Sequence, residues 1–301
     1  MQKKVVVTVI LVALVVAGSA SLCLAGDIVK IGVLAKNGPA KVLKKWQATG
    51  DYLTSAVKGK VFQIVPLGFD KVYSAIENGD VDFFLVNSSM FVTAKVRYGA
   101  CAIATMINSR QGKPLKSFGG VIITTSYNDA IKGLADVKGK KFMAVKKSSF
   151  GGWQMAFKEF RDAGIDPYRD FATVEFGGKH DNVVFAVQNE SVDAGTVRTD
   201  TLERMVAAGD IVMEDFKIIG AKERKDFPFV CSTALYPEWP LAKVAKTPDK
   251  LARRVVAALK KLKSTDKPAK KAKIKGWTDP LDYSGVERLQ RDLQVGAYAA
   301  R

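Results

Sequence analysis

The sequence predicts an α/β protein built as two lobes, and three observations carry that expectation. Apolar strand-like runs alternate with amphipathic helical stretches, the pattern of sheets covered by helices on both faces. The alternation begins near residue 28 and restarts near residue 119. At 301 residues the chain approaches the upper limit for one hydrophobic core and is more easily buried as two.

The elements follow in order. Ile28 to Leu34 (IVKIGVL) reads as a buried strand, then a loop with Asn37, Gly38 and Pro39, then a helix through Trp46, Tyr52, Leu53 and Val57. Val61 to Leu67 is a second strand, Lys71 to Asn78 a helix and Val81 to Val86 a third strand. The restart gives strands at Gly119 to Thr125 and Phe142 to Val145, a helix at Gly151 to Ala163, and a strand at Ala172 to Phe176. A helix at Asp181 to Asn189, a strand at Val192 to Val197 and a helical segment at Thr199 to Ala208 complete that lobe. Ile218 to Ile219 and Phe229 to Ala234 read as the returning connection, Pro237 and Pro240 as chain breakers, and Lys250 to Leu262 and Ser284 to Leu293 as closing helices. Parallel sheets are expected, with ligand contacts beyond the carboxyl ends of the strands. The expected division is residues 26–120 with 232–301 as lobe 1 and 121–231 as lobe 2, joined by two hinge crossovers around a cleft.

Residues 1–25 read as a signal peptide: Lys3 and Lys4, an apolar run from Val5 to Ala17, then small residues before Gly26. The run is short of the roughly 20 apolar residues a membrane helix needs. Leu22 in front of Cys23 lacks the small residue a lipid-anchoring site requires, so a periplasmic, unanchored protein is expected. The formal net charge is +17, or +15 without the two leader lysines. Such a field attracts anions. Lys260 to Lys275 carries eight lysines against Asp266 alone, a run that reads as a solvated face. No aromatic residues interleave with it, and a nucleic-acid partner is not expected. Cys101 and Cys231 admit either a disulfide or two buried thiols. His180 is the single histidine, so no metal site is expected and no cofactor is called for. There is no GxSxG elbow, P-loop or GxGxxG, and an enzyme is not expected.

The candidate contacts lie where a strand ends in hydroxyl, amide or cationic residues before a helix, which is where an anion meets free N–H groups. They are Asn87, Ser88 and Ser89 in the first lobe and Ser148, Ser149, Gly151 and Gly152 in the second. Ordinary N-capping explains such residues equally well. Lys179 and His180 can aim a charge and a donor into the same cleft. Arg198 offers a planar fork to an oxyanion, or a salt bridge to Asp200 or Glu203. Lys36 and Asn37, with Trp46 on the next helix, complete the cleft candidates, core being the favoured place for Trp46.

Residues 134–205 carry a distinctive order: LADVKGK, a serine-containing helix start, GIDPYRDF, a GKHD loop and VDAG. This order resembles the phosphate/phosphite/phosphonate-binding periplasmic proteins of ABC transporters. The segments IGVLAKNGPAKVLKKWQATGDYL, VPLGFD, VDFFLVNSSMFV, VRTDTLERM, STALYPEWP and WTDPLDY are similar to a branch of the same superfamily, the periplasmic sensor regions of tetrathionate-type histidine kinases. The resemblance implies a type II periplasmic-binding fold in which Ser148, Ser149 and His180 touch the ligand's oxyanion. It also implies a monomer that closes on a small anionic ligand and presents the closed form to an ABC permease or a membrane sensor kinase. The helix start from Lys147 to Gly152 departs from the full serine/threonine cluster of phosphonate binders.

Overall fold

The computed structural model describes residues 26–300, so the expected leader lies outside the described residues. Two main sheets form. The first has seven strands; Asp27–Leu34 lies second from one edge, paired in parallel with the edge strand Lys60–Leu67 on one side and Phe83–Leu85 on the other. Pro240–Lys243 then pairs antiparallel with both Phe83–Leu85 and Cys101–Arg110, and Ile274–Thr278 and Lys113–Leu115 pair antiparallel with Cys101–Arg110. Two successive reversals cancel. Cys101–Arg110 therefore runs the same way as Asp27–Leu34, and Arg110 arrives at the sheet edge where Leu34 and Leu85 end.

The second sheet has five strands in the order Phe216–Ile219, Gly120–Thr125, Ala194–Arg198, Lys141–Ala144, Thr173–Phe176. The last three are parallel, and Gly120–Thr125 is antiparallel to both its neighbours. Both sheets are thus mixed rather than wholly parallel, because strands that enter or leave each lobe run against the βαβ units. Ile218 and Ile219 belong to an edge strand of this sheet, and Phe227–Cys231 forms a hairpin with Lys222–Arg224, so neither is the returning connection. The return is Tyr236–Pro237, paired antiparallel with Ser117–Phe118 on the outward path. That short ribbon is where the chain crosses between the two sheets and occupies the place expected of the hinge.

Local sequence explains the helices that cover the first sheet. Pro39 starts Pro39–Ala56 at a position where a missing N–H costs nothing, and Val42, Trp46, Thr49, Gly50 and Leu53 form its buried face at helical spacing. Asp249–Lys261 has its acid in the first turn and Lys260 and Lys261 in the last, matching the helix dipole, above a buried face of Ala252, Val255, Ala258 and Leu259. These helices cover one face of the first sheet with Trp277, Phe62 and Phe83. On the other face a continuous core runs from Phe84, Met90 and Phe91 to Phe142, Trp153 and Phe157 of the second lobe. Each fully buried side chain of this size contributes about 1.5–3 kcal/mol, and the shared core holds the lobes together. Cys101 and Cys231 are both free, Cys231 buried and Cys101 exposed rather than buried. The lysines from Lys260 to Lys273 are exposed, as expected of a solvated face.

Candidate functional site

The cleft between the lobes holds two adjoining compartments that share Leu34, Lys36, Asn37, Lys179, His180, Arg198 and Trp239 as a common wall. The smaller, about 40 Å³, reaches toward Asn87, Phe118, Ser149 and Gly151, with room for little more than water. The larger, about 300 Å³, reaches between the helix Pro39–Ala56 and the end of Cys101–Arg110 and is lined by Lys41, Lys45, Trp46, Asn108, Arg110, Asp181, Asp200 and Arg204. Its size is at the lower end for a small-molecule site.

The serine-rich helix starts are mostly committed elsewhere. Asn87 caps its helix, accepting from Met90 N at 2.9 Å, and its amide donates to Ser148 O in the second lobe at 3.2 Å. Ser88 donates to the hinge carbonyl of Pro237 at 2.6 Å. Ser89 donates to Gln154 Oε1 of the second lobe at 2.5 Å and accepts from Gln290 Nε2 at 2.6 Å. Ser88, Ser89 and Ser148 therefore do not line the cleft, whereas Ser149, Gly151 and Asn87 line its small compartment. The expected helix at Gly151 opens as a π-turn over Phe150–Gln154 before Met155–Asp162. A Cβ on Gly151 would come within 2.9 Å of the Phe118 ring, so only glycine lets this turn approach the hinge.

Arg198, last residue of its strand, is clamped. Its guanidinium donates to both oxygens of Glu238, at 2.5 and 3.3 Å, and to Asp200 Oδ1 at 3.2 Å, and it stacks 4.1 Å over the Phe118 ring. The salt-bridge alternative thus holds for Asp200, with Glu238 in place of Glu203. Glu238 is fully buried and also accepts from Asn108 Nδ2 at 2.8 Å. Burial alone would lower Arg198 and raise Glu238, but their mutual attraction outweighs it and drives both pKa values toward the charged pair. Asp200 sits in the left-handed region, at φ 72°, and points between Arg198 and Arg110. Aspartate tolerates that backbone better than most residues.

His180 opens its helix beside this clamp, and its Nδ1 accepts from Arg198 N at 3.2 Å. Desolvation, with the nearby Lys36 and Arg198 charges next, holds its pKa well below the usual value. A neutral ring that accepts at Nδ1 carries its proton on Nε2, and so presents a donor.

The larger compartment is different because its cations are under-compensated. Among the described residues, Lys36, Lys41, Lys45 and Lys179 form no salt bridge; Asp181 is engaged by Arg204, and Asp200 is shared between Arg198 and Arg110. Arg110 Nε lies 3.1 Å from Asp200 Oδ2 yet is buried without a hydrogen bond. Burial, then repulsion from Arg198 and Arg110, pushes Lys36 down to about 8; burial, then Arg110 and Lys36, pushes Lys45 down to about 7. The lysines are placed over indoles, Lys36 Nζ 5.5 Å from the Trp239 centroid and Lys45 Nζ 5.2 Å from that of Trp46, contacts that partly offset their lost hydration. Trp46 is core on one side and cavity wall on the other.

Sequence reading missed Arg110, Lys45, Lys41, Asn108 and Arg204. Arg110 was findable, since it ends a strand, but that strand (CAIATMINSR) is part of the sequence for which no element was assigned. Lys41 and Lys45 are one helical turn apart on a helix that was assigned, and the loop Lys36-Asn37 before it marks the face they share.

Comparison with known proteins places this geometry in a lineage. The family model for the periplasmic substrate-binding protein of phosphonate ABC transporters matches residues 31–292. The tetrathionate sensor histidine kinase TtrS of Salmonella typhimurium is 31% identical over 264 residues, which are 88% of this chain and 43% of that protein. The chain therefore spans less than half the length of this relative. Two solved structures share the fold: PhnD1 from Prochlorococcus marinus in complex with methylphosphonate, at TM-score 0.69 and 16% identity over 89% of this chain and 99% of that one, and a binding protein component of an ABC phosphonate transporter from Pseudomonas aeruginosa, at 0.70 and 15% over 89% and 87%. In both, as here, the fold is the two-lobed α/β architecture of periplasmic binding proteins, and this chain belongs to the family of phosphonate ABC-transporter periplasmic substrate-binding proteins.

Proposed function

We propose that the protein binds a small oxyanion between its lobes in the periplasm and delivers it, as a monomer, to an ABC importer without chemical change. The observation that carries this reading is the convergence of Lys36, Lys45 and Arg110, cations without full partners, on one cavity between the lobes. Like charges so placed repel one another and raise the energy of the empty closed form; an anion relieves that repulsion only when both lobes surround it, which gives it the differential affinity that drives closure. Lys36, Asn37, Lys45 and Arg110 contribute from the first lobe, and Ser149, Gly151, Lys179 and His180 from the second. Arg198 serves chiefly as a neutralised wall that orients His180.

A second reading has its own support. The identity with a tetrathionate sensor kinase favours a ligand-sensing module whose closed form signals to a kinase. No helix among the described residues is long and apolar enough to cross a membrane; the reading takes the kinase to be a separate protein.

The test is thermal unfolding of the purified protein, expressed with its own leader, against phosphate, phosphite, methylphosphonate, sulfate, thiosulfate and tetrathionate. A ligand at a hundred times its Kd should stabilise by about 2.7 kcal/mol. No shift with any anion sinks the oxyanion reading. Stimulation of a reconstituted permease's ATPase by the liganded protein supports import, and stimulation of a kinase's autophosphorylation supports sensing.

A further inference from the structure

The larger compartment offers hydrogen-bond donors in plenty and hardly any strong acceptor. In their charged forms Lys36, Lys45, Lys179 and Arg110 only donate, and Nε2 of the neutral His180 ring donates as well. Both carboxylates in the lining are ion-paired, Asp181 through Oδ1 with Arg204 and Asp200 with Arg198 and Arg110, so the cations outnumber the acceptors left to them. Glu238, behind the wall, has both oxygens occupied by Arg198 and Asn108.

Resting on the anion-binding reading above, we infer that this compartment selects a proton-free, doubly charged oxyanion of a strong acid, of the sulfur-oxyanion type, over a phosphonate that still carries a proton. Phosphonates and phosphite release their second proton near neutrality, as phosphate groups do. In the singly protonated form they bring an O–H that needs an acceptor, and a donor facing a donor leaves both unsatisfied. They also bring one negative charge to a cluster that calls for two or more. A strong-acid dianion brings acceptors alone and its full charge at every pH. The cavity's volume, about 300 Å³, admits an anion larger than one tetrahedral group.

The test is a ratio. Dissociation constants for tetrathionate, thiosulfate, sulfate and methylphosphonate are measured by calorimetry on the purified protein at pH 6.5 and pH 8.5. Titration of the protein's own lysines acts on every anion and largely cancels when one is divided by another. The preference for the best sulfur dianion over methylphosphonate should be roughly tenfold to hundredfold at pH 6.5 and shrink about tenfold at pH 8.5, where the phosphonate is itself a dianion. Arg204→Gln, on an exposed pair, frees Asp181 as an acceptor and should narrow the preference at pH 6.5. A preference that is absent, or does not change with pH, or is unmoved by Arg204→Gln, overturns the inference while leaving anion binding intact. Failure of every anion to bind overturns both.

Discussion

The helix start at Asn87 to Ser89 and the cationic compartment beside Arg110 both sit at strand ends facing the cleft, yet they solve opposite problems. At the helix start every side-chain polar group has a partner: a cap, a hinge carbonyl, a buried glutamine pair. In the compartment, lysines and an arginine are held half-buried with too few carboxylates and with pKa values pushed down. Polar groups that satisfy one another build the frame, whereas polar groups left wanting define what must arrive from outside.

The contrast can be broken most forcefully at Arg198. Replacing Arg198 with Met strands Glu238 as a buried charge and should cost about 3–5 kcal/mol of stability, measured by urea unfolding without ligand. Normal stability with lost binding would instead make Arg198 a ligand contact. Arg110→Gln should do the reverse, reducing anion affinity about 10- to 100-fold while leaving unliganded stability unchanged or raised, because it removes repulsion from Arg198 and Lys45. Ser88→Ala should cost about 1–2 kcal/mol by orphaning the Pro237 carbonyl and change affinity less than about threefold; a large affinity loss at constant stability would place Ser88 among the contacts.

The smallest effect is with pH. Lys36 and Lys45 are lowered in the folded state relative to the unfolded, so the unfolded chain binds more protons above about pH 7, and these groups make the unliganded protein more stable as pH rises. The same deprotonation removes charge from the site, so affinity for a permanent dianion should fall several-fold between pH 7 and pH 9. Calorimetry against thiosulfate checks the direction, and a rise would mean that these lysines do not face the ligand.

Much of the fold was legible because its inner strands, such as Asp27–Leu34 and Gly120–Thr125, are continuous apolar runs, and its helices keep a clear buried face. Cys101–Arg110 escaped notice because half its positions are only partly buried, and alternating Thr, Asn and Ser obscure the apolar pattern. Pro240–Lys243 was hidden by its proline, which is accommodated as the first residue of a strand. For the site, the sequence named the common wall of the two compartments, from Asn37 to Arg198, but charge pairing is not a sequence property. Nothing in the order of residues tells that Glu238 neutralises Arg198 across 40 positions while Arg110 must share Asp200 with Arg198.

Glu238 directly follows the hinge strand Tyr236–Pro237, and the arginine it grips belongs to the second lobe. The pair therefore fastens the second sheet's Arg198 strand to the crossover ribbon, so that peeling the ribbon away from that strand would strand a buried carboxylate, and the crossing is locked by charge as well as by its two paired residues.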